Sequence, residues 1–154
     1  MSREIKFRAW DKDSKRYGEV VEIEYNESRE IDGIWVWYNI HERYEPIPGA
    51  NATVEQYTGL KDKNGKEIYE GDIVRVCHNR YDKPNKKGGR QLVEKTFNCI
   101  VVRDTYKFGF KHQFAELASH IYYWDDFETH RFHDVTKIEI VGNIHENPEL
   151  LEDK

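Results

Sequence analysis

At 154 residues the chain is long enough for one ordinary domain with its own core, and too short for two comfortable ones. Charged residues make up 34% of it, which favours disorder, but aromatic residues make up 14% and include four Trp and ten Tyr. Disordered chains lack such aromatic content, because aromatic side chains let a short chain bury enough surface to offset its conformational entropy. The composition therefore predicts a single folded domain over residues 1–154 with a small, aromatic-rich core. We expect the largely buried side chains to include Trp10, Tyr57, Ile73, Ile140 and at least one of Trp35 and Trp37.

The sequence contains no run of 18 apolar residues, so a membrane-spanning helix is not expected. The N-terminal residues lack the apolar region of a signal peptide, which predicts a cytoplasmic protein with no membrane partner. Without an export signal, Cys77 and Cys99 are expected to be buried reduced thiols rather than a disulfide.

Charge is distributed unevenly along the chain, whose formal net charge is -5. Residues 77–111 carry nine Lys and Arg against three acidic residues, whereas residues 112–154 carry three against ten. The middle of an acidic protein is therefore basic. The two regions could pair within one chain or between copies of a homo-oligomer.

Apolar periodicity indicates strands in the first half of the chain. Residues 5–10 alternate apolar and polar side chains, the period of a half-buried strand. Residues 34–40 are apolar on both faces, which predicts a central strand or one lying against a partner. One face should then contact a second copy of the chain if it is not covered internally. Pro46, Pro48 and Gly49 predict a loop after this strand.

The sharpest local pattern predicts a hairpin within residues 53–77. A strand over 53–58 leads to Asn64-Gly65, whose access to positive φ suits a tight turn, and residues 66–69 return. A second turn at Glu70-Gly71-Asp72 precedes a strand that begins at Ile73. Two turns this close indicate a meander of short antiparallel strands.

The second half of the chain is expected to contain more strands and two short helices. Residues 79–95 combine Pro84, two glycines and six Lys and Arg residues, which predicts a flexible basic excursion. Phe114, Leu117, Ala118 and Ile121 have the spacing of a short amphipathic helix. Asn147-Pro148 predicts the start of a short C-terminal helix. The expected fold class is mainly β: a small antiparallel, partly closed β-barrel or curled sheet with these two helices.

Three blocks of sequence resemble the YopX family of phage and prophage proteins. They are Ile5–Asp11, Gln56–Val74 and Ile138–Leu150, in that order. The resemblance implies a phage or prophage origin, a β-rich fold and residence in the bacterial host cytoplasm. It implies no activity and no catalytic residue. The blocks consist of turns and apolar alternation, which a fold requires, whereas an active site would gather acids, bases or nucleophiles.

Few residues suggest reaction chemistry. His130 and His133, near Asp125 and Asp126, form the best cluster for a metal, but their spacing favours a solvated polar loop. The acidic pairs Asp125–Asp126 and Glu70–Asp72 are more typical of turns than of acid–base catalysis. No nucleophile, phosphate-binding or dinucleotide motif appears. The sequence therefore predicts no catalytic residue, no cofactor and no metal site, and it favours a protein without enzymatic activity.

Two functions remain open. The first is a protein-interaction module, a phage accessory factor acting on a host or phage protein. The second is weak nucleic-acid binding by the basic excursion, where cationic side chains could contact phosphates and a tyrosine could stack on a base. The candidate residues for the second function are Arg80, Tyr81, Lys83, Lys86, Lys87, Arg90 and Lys95. A solvated loop is the alternative, and the sequence pI of about 5.8 favours it.

Overall fold

A computed structural model describes residues 4–81, 86–89, 91–103, 108–111, 121–123 and 138–152. The chain divides into two compact units, residues 1–59 and residues 60–154. The prediction of one domain over residues 1–154 concerns cooperative folding and stays a prediction. No helix within the described ranges is long and apolar enough to cross a membrane.

The first unit contains five neighbouring strands of an antiparallel sheet. In sheet order, with β4 at one side, they run β4-β3-β2-β1-β5. Their bounds are β1 Phe7–Asp11, β2 Arg16–Tyr25, β3 Ile31–Tyr38, β4 Arg43–Pro48 and β5 Ala52–Lys61. A short 3-10 helix, Gly49–Asn51, joins β4 to β5. The connections from β1 to β4 are short turns, as expected when consecutive strands pair as hairpins.

The core of this unit lies on one face of its sheet. Every second residue of β3 is buried there, and Ala9 and Ile47 join them from β1 and β4. Gly18 in β2 permits the close packing, because a Cβ at this position would lie 2.6 Å from the Cβ of Val36. A strand glycine often marks such a close approach. The first unit therefore folds around a sheet whose buried face is mainly aliphatic.

The second unit contains the last two residues of β5 and six further strands. Five of these form an antiparallel sheet in the order β10-β9-β8-β7-β11. The strands are β6 Glu67–Tyr69, β7 Asp72–Tyr81, β8 Leu92–Arg103, β9 Phe108–Lys111, β10 Ile121–Tyr123 and β11 Glu139–Asn143. Their buried cluster contains Ile68, Val74, Val76, Cys99, Val101 and Ile138.

The hairpin predicted within residues 53–77 is confirmed. Gly65 has a φ of 80° and its N–H donates to the Asp62 carbonyl. Asp62, which the sequence indicated only as a turn residue, organises this loop. Its Oδ1 accepts hydrogen bonds from the backbone N–H of Asn64 and Lys66, and its Oδ2 accepts one from Ile140 in β11. The carboxylate thus joins the β5–β6 turn to the C-terminal strand.

The second and third sequence blocks meet at this turn. The Lys63 N–H donates to the Ile138 carbonyl, and the Lys63 ammonium lies 3.0 Å from the Glu139 carboxylate. Further along, the Ile144 N–H donates to Gly71, whose own N–H donates to Val101. The resemblance blocks are therefore a structural frame of paired strands and turns.

Several expectations about the fold are wrong. Both sheets have open strand orders in the part of the chain described, so there is no closed barrel. Ile121, assigned by its spacing to an amphipathic helix, begins β10, and residues 114–120 lie outside the described ranges. The C-terminal helix is a four-residue 3-10 turn, Pro148–Leu151, because Asn147 makes no side-chain cap.

Two further corrections concern loops. Pro46 and Pro48 lie in β4, not in a loop; a strand at the edge of a sheet tolerates proline because one side of its backbone needs no partner. Part of the expected 79–95 excursion is regular, since β7 and β8 pair as far as Tyr81 and Leu92. The expected flexibility of the segment stays a prediction.

Burial of the predicted core residues is mixed. Trp10, Tyr57 and Ile73 are buried, as expected. Ile140 is only half-buried, and so are both Trp35 and Trp37. Neither of these two tryptophans is fully buried. The reason is that the buried face of β3 carries Ile34, Val36 and Tyr38, and the tryptophans lie on the other face.

Cys99 should be chemically inert in the folded protein. It is a free cysteine, 1% exposed, and burial raises the pKa of its thiol to about 12. Because the thiolate is the reactive form, we expect Cys99 to react with a thiol reagent at pH 8 only after denaturation. Mass spectrometry of peptides after pulsed alkylation measures this, and rapid labelling of Cys99 in the native protein would contradict it.

Candidate docking face

Of the candidate chemical groups, the structure describes the acidic pair Glu70–Asp72. Asp72 is buried and accepts a hydrogen bond from the Tyr69 N–H, while Glu70 lies 3.6 Å from the Arg103 guanidinium. Both acids therefore serve the turn between β6 and β7. The segment with His130 and His133 and the pair Asp125–Asp126 lie outside the described residues. Within the described ranges, no three His, Cys, Asp or Glu side chains are placed to hold a metal ion.

The candidate nucleic-acid residues belong to the β7–β8 region. Arg80 and Tyr81 lie near the end of β7, and Lys95 lies in β8, opposite His78 in the register. Lys86 and Lys87 are exposed, in a turn between the two strands. Lys83 and Arg90 lie outside the described residues, as do the side chains of the three strand residues. The structure thus places the backbone of the five described positions on one hairpin.

The most distinctive surface lies on the first unit, on the face of the sheet opposite its aliphatic core. In the register, Trp37 lies opposite Tyr44, and Trp35 lies opposite Pro46. Residues directly opposite on neighbouring strands share a face, as do residues two apart along one strand. Trp35, Trp37, Tyr44 and Pro46 therefore share one face, which we call the aromatic face.

The aromatic face is open at the side of β4. Tyr44 is 59% exposed and Pro46 is exposed, whereas both tryptophans are half-buried. The rings of Trp37 and Tyr44 are tilted by 55° with centroids 4.7 Å apart. A tilted pair at this distance is a favourable aromatic arrangement, so the rings hold each other in place.

Carboxylates border the aromatic face along β2. Glu19 lies opposite Trp37, and Glu22 lies opposite Trp35. Glu24 accepts a hydrogen bond of 3.1 Å from the Trp35 indole N–H. All three glutamates are exposed. Aromatic rings beside acidic side chains form a surface that favours cations, since the ring face and the carboxylate both attract positive charge.

A buried ion pair continues the same row of residues onto β1 and β5. Arg8 lies opposite Glu19 in the register, but its guanidinium Nε is 2.7 Å from the Glu55 carboxylate. The guanidinium also lies 4.2 Å from the ring centroid of Tyr17. The side chains of Arg8 and Glu55 are 17% and 4% exposed. Arg8 is therefore held by Glu55 and does not neutralise the exposed glutamates.

The sequence indicated this face only in part. Residues 34–40 were recognised as apolar on both faces, yet nothing in that run showed which face would be covered. The useful signal was in the following segment, where Tyr44, Pro46 and Pro48 alternate as in a strand. The prolines suggested a loop instead, so the contribution of β4 was missed.

Comparison with known proteins gives a consistent result. The YopX protein family model matches residues 6–152. The crystal structure of protein EF1440 from Enterococcus faecalis is similar, with a TM-score of 0.56 and 29% identity over 98% of this chain and 100% of that one. A comparison with curated proteins gave no match. Because the family model spans nearly the whole chain, including the three sequence blocks, this protein belongs to the YopX family.

Proposed function

We propose that this protein is a protein-interaction module without enzymatic activity, an accessory protein of a phage or prophage that acts in the cytoplasm of the bacterial host. The observation that carries the proposal is the aromatic face of the first unit. Its exposed Tyr44 and Pro46 and half-buried tryptophans are the residue types that most often anchor protein interfaces. The partner is a host or phage protein.

The charges beside this face support a basic partner. Glu19, Glu22 and Glu24 border the rings, and the nearest arginine on the row, Arg8, is paired with Glu55. A lysine or arginine side chain could place its charge over a ring and its hydrogen-bond donors on a glutamate. Such cation–π contacts contribute about 0.5–1 kcal/mol at exposed sites and more when desolvated. Opposite charges at the rim would also speed the association.

Replacing Trp37 with alanine should weaken binding of a basic peptide about fivefold or more, since one cation–π contact and its apolar area are lost. The probe is fluorescein-labelled octa-arginine, titrated by fluorescence anisotropy, with octa-glutamate as the negative peptide. Ile40→Ala is the matched control, because Ile40 is 89% exposed in the turn between β3 and β4. Equal binding by the Trp37 variant and the parent would contradict the proposal.

A second pair of variants distinguishes binding at the aromatic face from non-specific attraction to the protein's negative charge. Glu19, Glu22 and Glu24 are changed together to glutamine in one variant. The other variant changes Glu27, Glu149 and Glu152, which are also exposed. Both lose three negative charges, so a non-specific attraction would weaken equally. The proposal expects the first variant alone to lose most of the binding.

Nucleic-acid binding by the β7–β8 hairpin is the alternative function. Its supporting observation is that Lys86 and Lys87 are exposed in the turn of a hairpin that also carries Arg80 and Lys95. Replacing Lys86, Lys87 and Arg90 with alanine should reduce DNA binding and its salt dependence, since fewer counterions are released. The melting temperature should change little, because exposed charges contribute little to stability. Anisotropy with single- and double-stranded DNA at two salt concentrations tests this, and unchanged binding would exclude the alternative.

A further inference from the structure

A groove lies beside β2 in the first unit, where the strand loses its neighbour. In the register, β1 pairs with β2 only from Arg8–Glu19 to Asp11–Arg16. The strand β2 continues to Tyr25, paired with β3 on its other side. Among the residues described, none pairs with β2 beyond Glu19 on the side of β1. We call Val20–Tyr25, on this side, the free edge.

The N-terminal segment leaves the free edge and follows β5 instead. The Lys6 carbonyl accepts a hydrogen bond of 2.9 Å from the Tyr57 N–H, and Phe7 lies opposite Gln56. A wedge therefore opens between residues 5–7 and β2. It is a groove of about 320 Å³, lined by Ile5, Lys6, Phe7 and residues 19–23. Two of its apolar side chains, Ile5 and Val21, are 65% and 56% exposed.

An open strand edge presents backbone N–H and C=O groups that can pair with another extended chain. Peptide recognition by strand addition uses these groups for affinity and side-chain pockets for specificity. The free edge provides both, since the backbone lies beside a groove with exposed Ile5 and Val21. The site differs from the aromatic face and does not rest on the function proposed for it.

Charge decides which strand can occupy the edge. Glu19, Glu22 and Glu24 are exposed along β2, so a second copy of the same edge would bring glutamates together. Like charges directly opposite on paired strands are destabilising, whereas opposite charges stabilise. The β-bulge between Val20 and Glu22 also limits long, indiscriminate pairing. We infer that the free edge binds an extended partner segment of alternating apolar and basic residues by strand addition.

The test compares three labelled, capped hexapeptides by fluorescence anisotropy against the full-length protein. One alternates valine and lysine, the second alternates valine and glutamate, and the third is the lysine peptide with alternate backbone nitrogens methylated. N-methylation removes backbone donors and keeps the side chains, so it should weaken binding about tenfold or more. The glutamate peptide should not bind. Equal binding of the methylated peptide, or no binding of the lysine peptide at low salt, would overturn the inference.

Variants locate the peptide on the protein. Replacing Ile5 and Val21 together with serine should weaken the lysine peptide at least about threefold, because both apolar contacts of the groove are lost. Both side chains are exposed in the free protein, so the variant should fold. Ile40→Ser is the matched control, since Ile40 is 89% exposed in the turn between β3 and β4, away from the groove's lining residues. Trp37→Ala, which tests the aromatic face, should leave this peptide's affinity within about twofold. Weakening by Trp37→Ala alone would place the peptide on the aromatic face and overturn the inference.

Discussion

Replacing Asp62 with asparagine should destabilise the protein by about 2–4 kcal/mol, since hydrogen bonds to a buried charged group are lost and a donor is left unpaired. Asp62 is 7% exposed, and its two oxygens accept three backbone hydrogen bonds. Asparagine keeps one oxygen for Asn64 and Lys66 but presents an NH₂ group to the Ile140 N–H. Two donors would then face each other where the β5–β6 turn meets β11. Chemical denaturation measures the loss.

The contribution of the Asp62 carboxylate to the stability of the fold should depend on pH. Burial raises the pKa of the Asp62 carboxyl, but the hydrogen bonds from the N–H groups of Ile140, Lys66 and Asn64 outweigh burial and hold the pKa below its ordinary value of 3.8. A carboxyl with a lowered pKa in the folded state contributes stability above its unfolded pKa. That contribution is lost as the pH falls through the folded value.

The stability difference between the parent and Asp62→Asn should therefore be full at pH 7 and shrink below about pH 4. Asp32→Asn, at an exposed position in β3, is the control and should change stability by less than about 0.5 kcal/mol. A difference that stays constant down to pH 2 would contradict the role of the carboxylate, as would an Asp62 variant as stable as the parent.

Replacing Arg8 with methionine should cost about 3 kcal/mol, because it removes one partner of the largely buried ion pair with Glu55. Glu55 is 3% exposed, and its second oxygen lies 3.3 Å from the Tyr17 hydroxyl, which cannot neutralise it. Methionine preserves the apolar length of the arginine side chain. For a protein of this size the melting temperature should fall by about 6–12 °C.

The double variant Arg8→Met with Glu55→Gln separates charge from packing. It also removes the negative charge of the buried Glu55 carboxylate, so it should be more stable than Arg8→Met alone. Differential scanning calorimetry of the parent, both single variants and the double variant gives the coupling energy. If the double variant is no more stable than Arg8→Met, the cost comes from packing, and the buried ion pair does not have the role described.

The sequence alone was enough to predict features that depend on residues close together in the chain. The turn at Gly65 was predictable because glycine readily adopts a φ of 80°. The role of Asp62 could not be predicted, because the hydrogen bond that its carboxylate accepts from Ile140 joins residues 78 positions apart. Likewise, β4 was missed because Pro46 and Pro48 are local breakers whose place at a sheet edge depends on pairing with β3. The aromatic face needs both neighbours of β3, so no single run of sequence shows it.

The claim that the aromatic face binds a basic segment is tested most directly by the indole N–H resonances of the tryptophans. A ¹H–¹⁵N correlation spectrum of the full-length protein, assigned with single Trp→Phe variants, is recorded during titration with octa-arginine. We predict that the Trp35 and Trp37 resonances shift together and saturate, since the peptide's charge comes to lie over these rings and displaces or reorients the Glu24 carboxylate on Trp35. The buried Trp10 resonance should shift little. If the Trp35 and Trp37 resonances stay in place while the peptide binds, the aromatic face is not the docking surface.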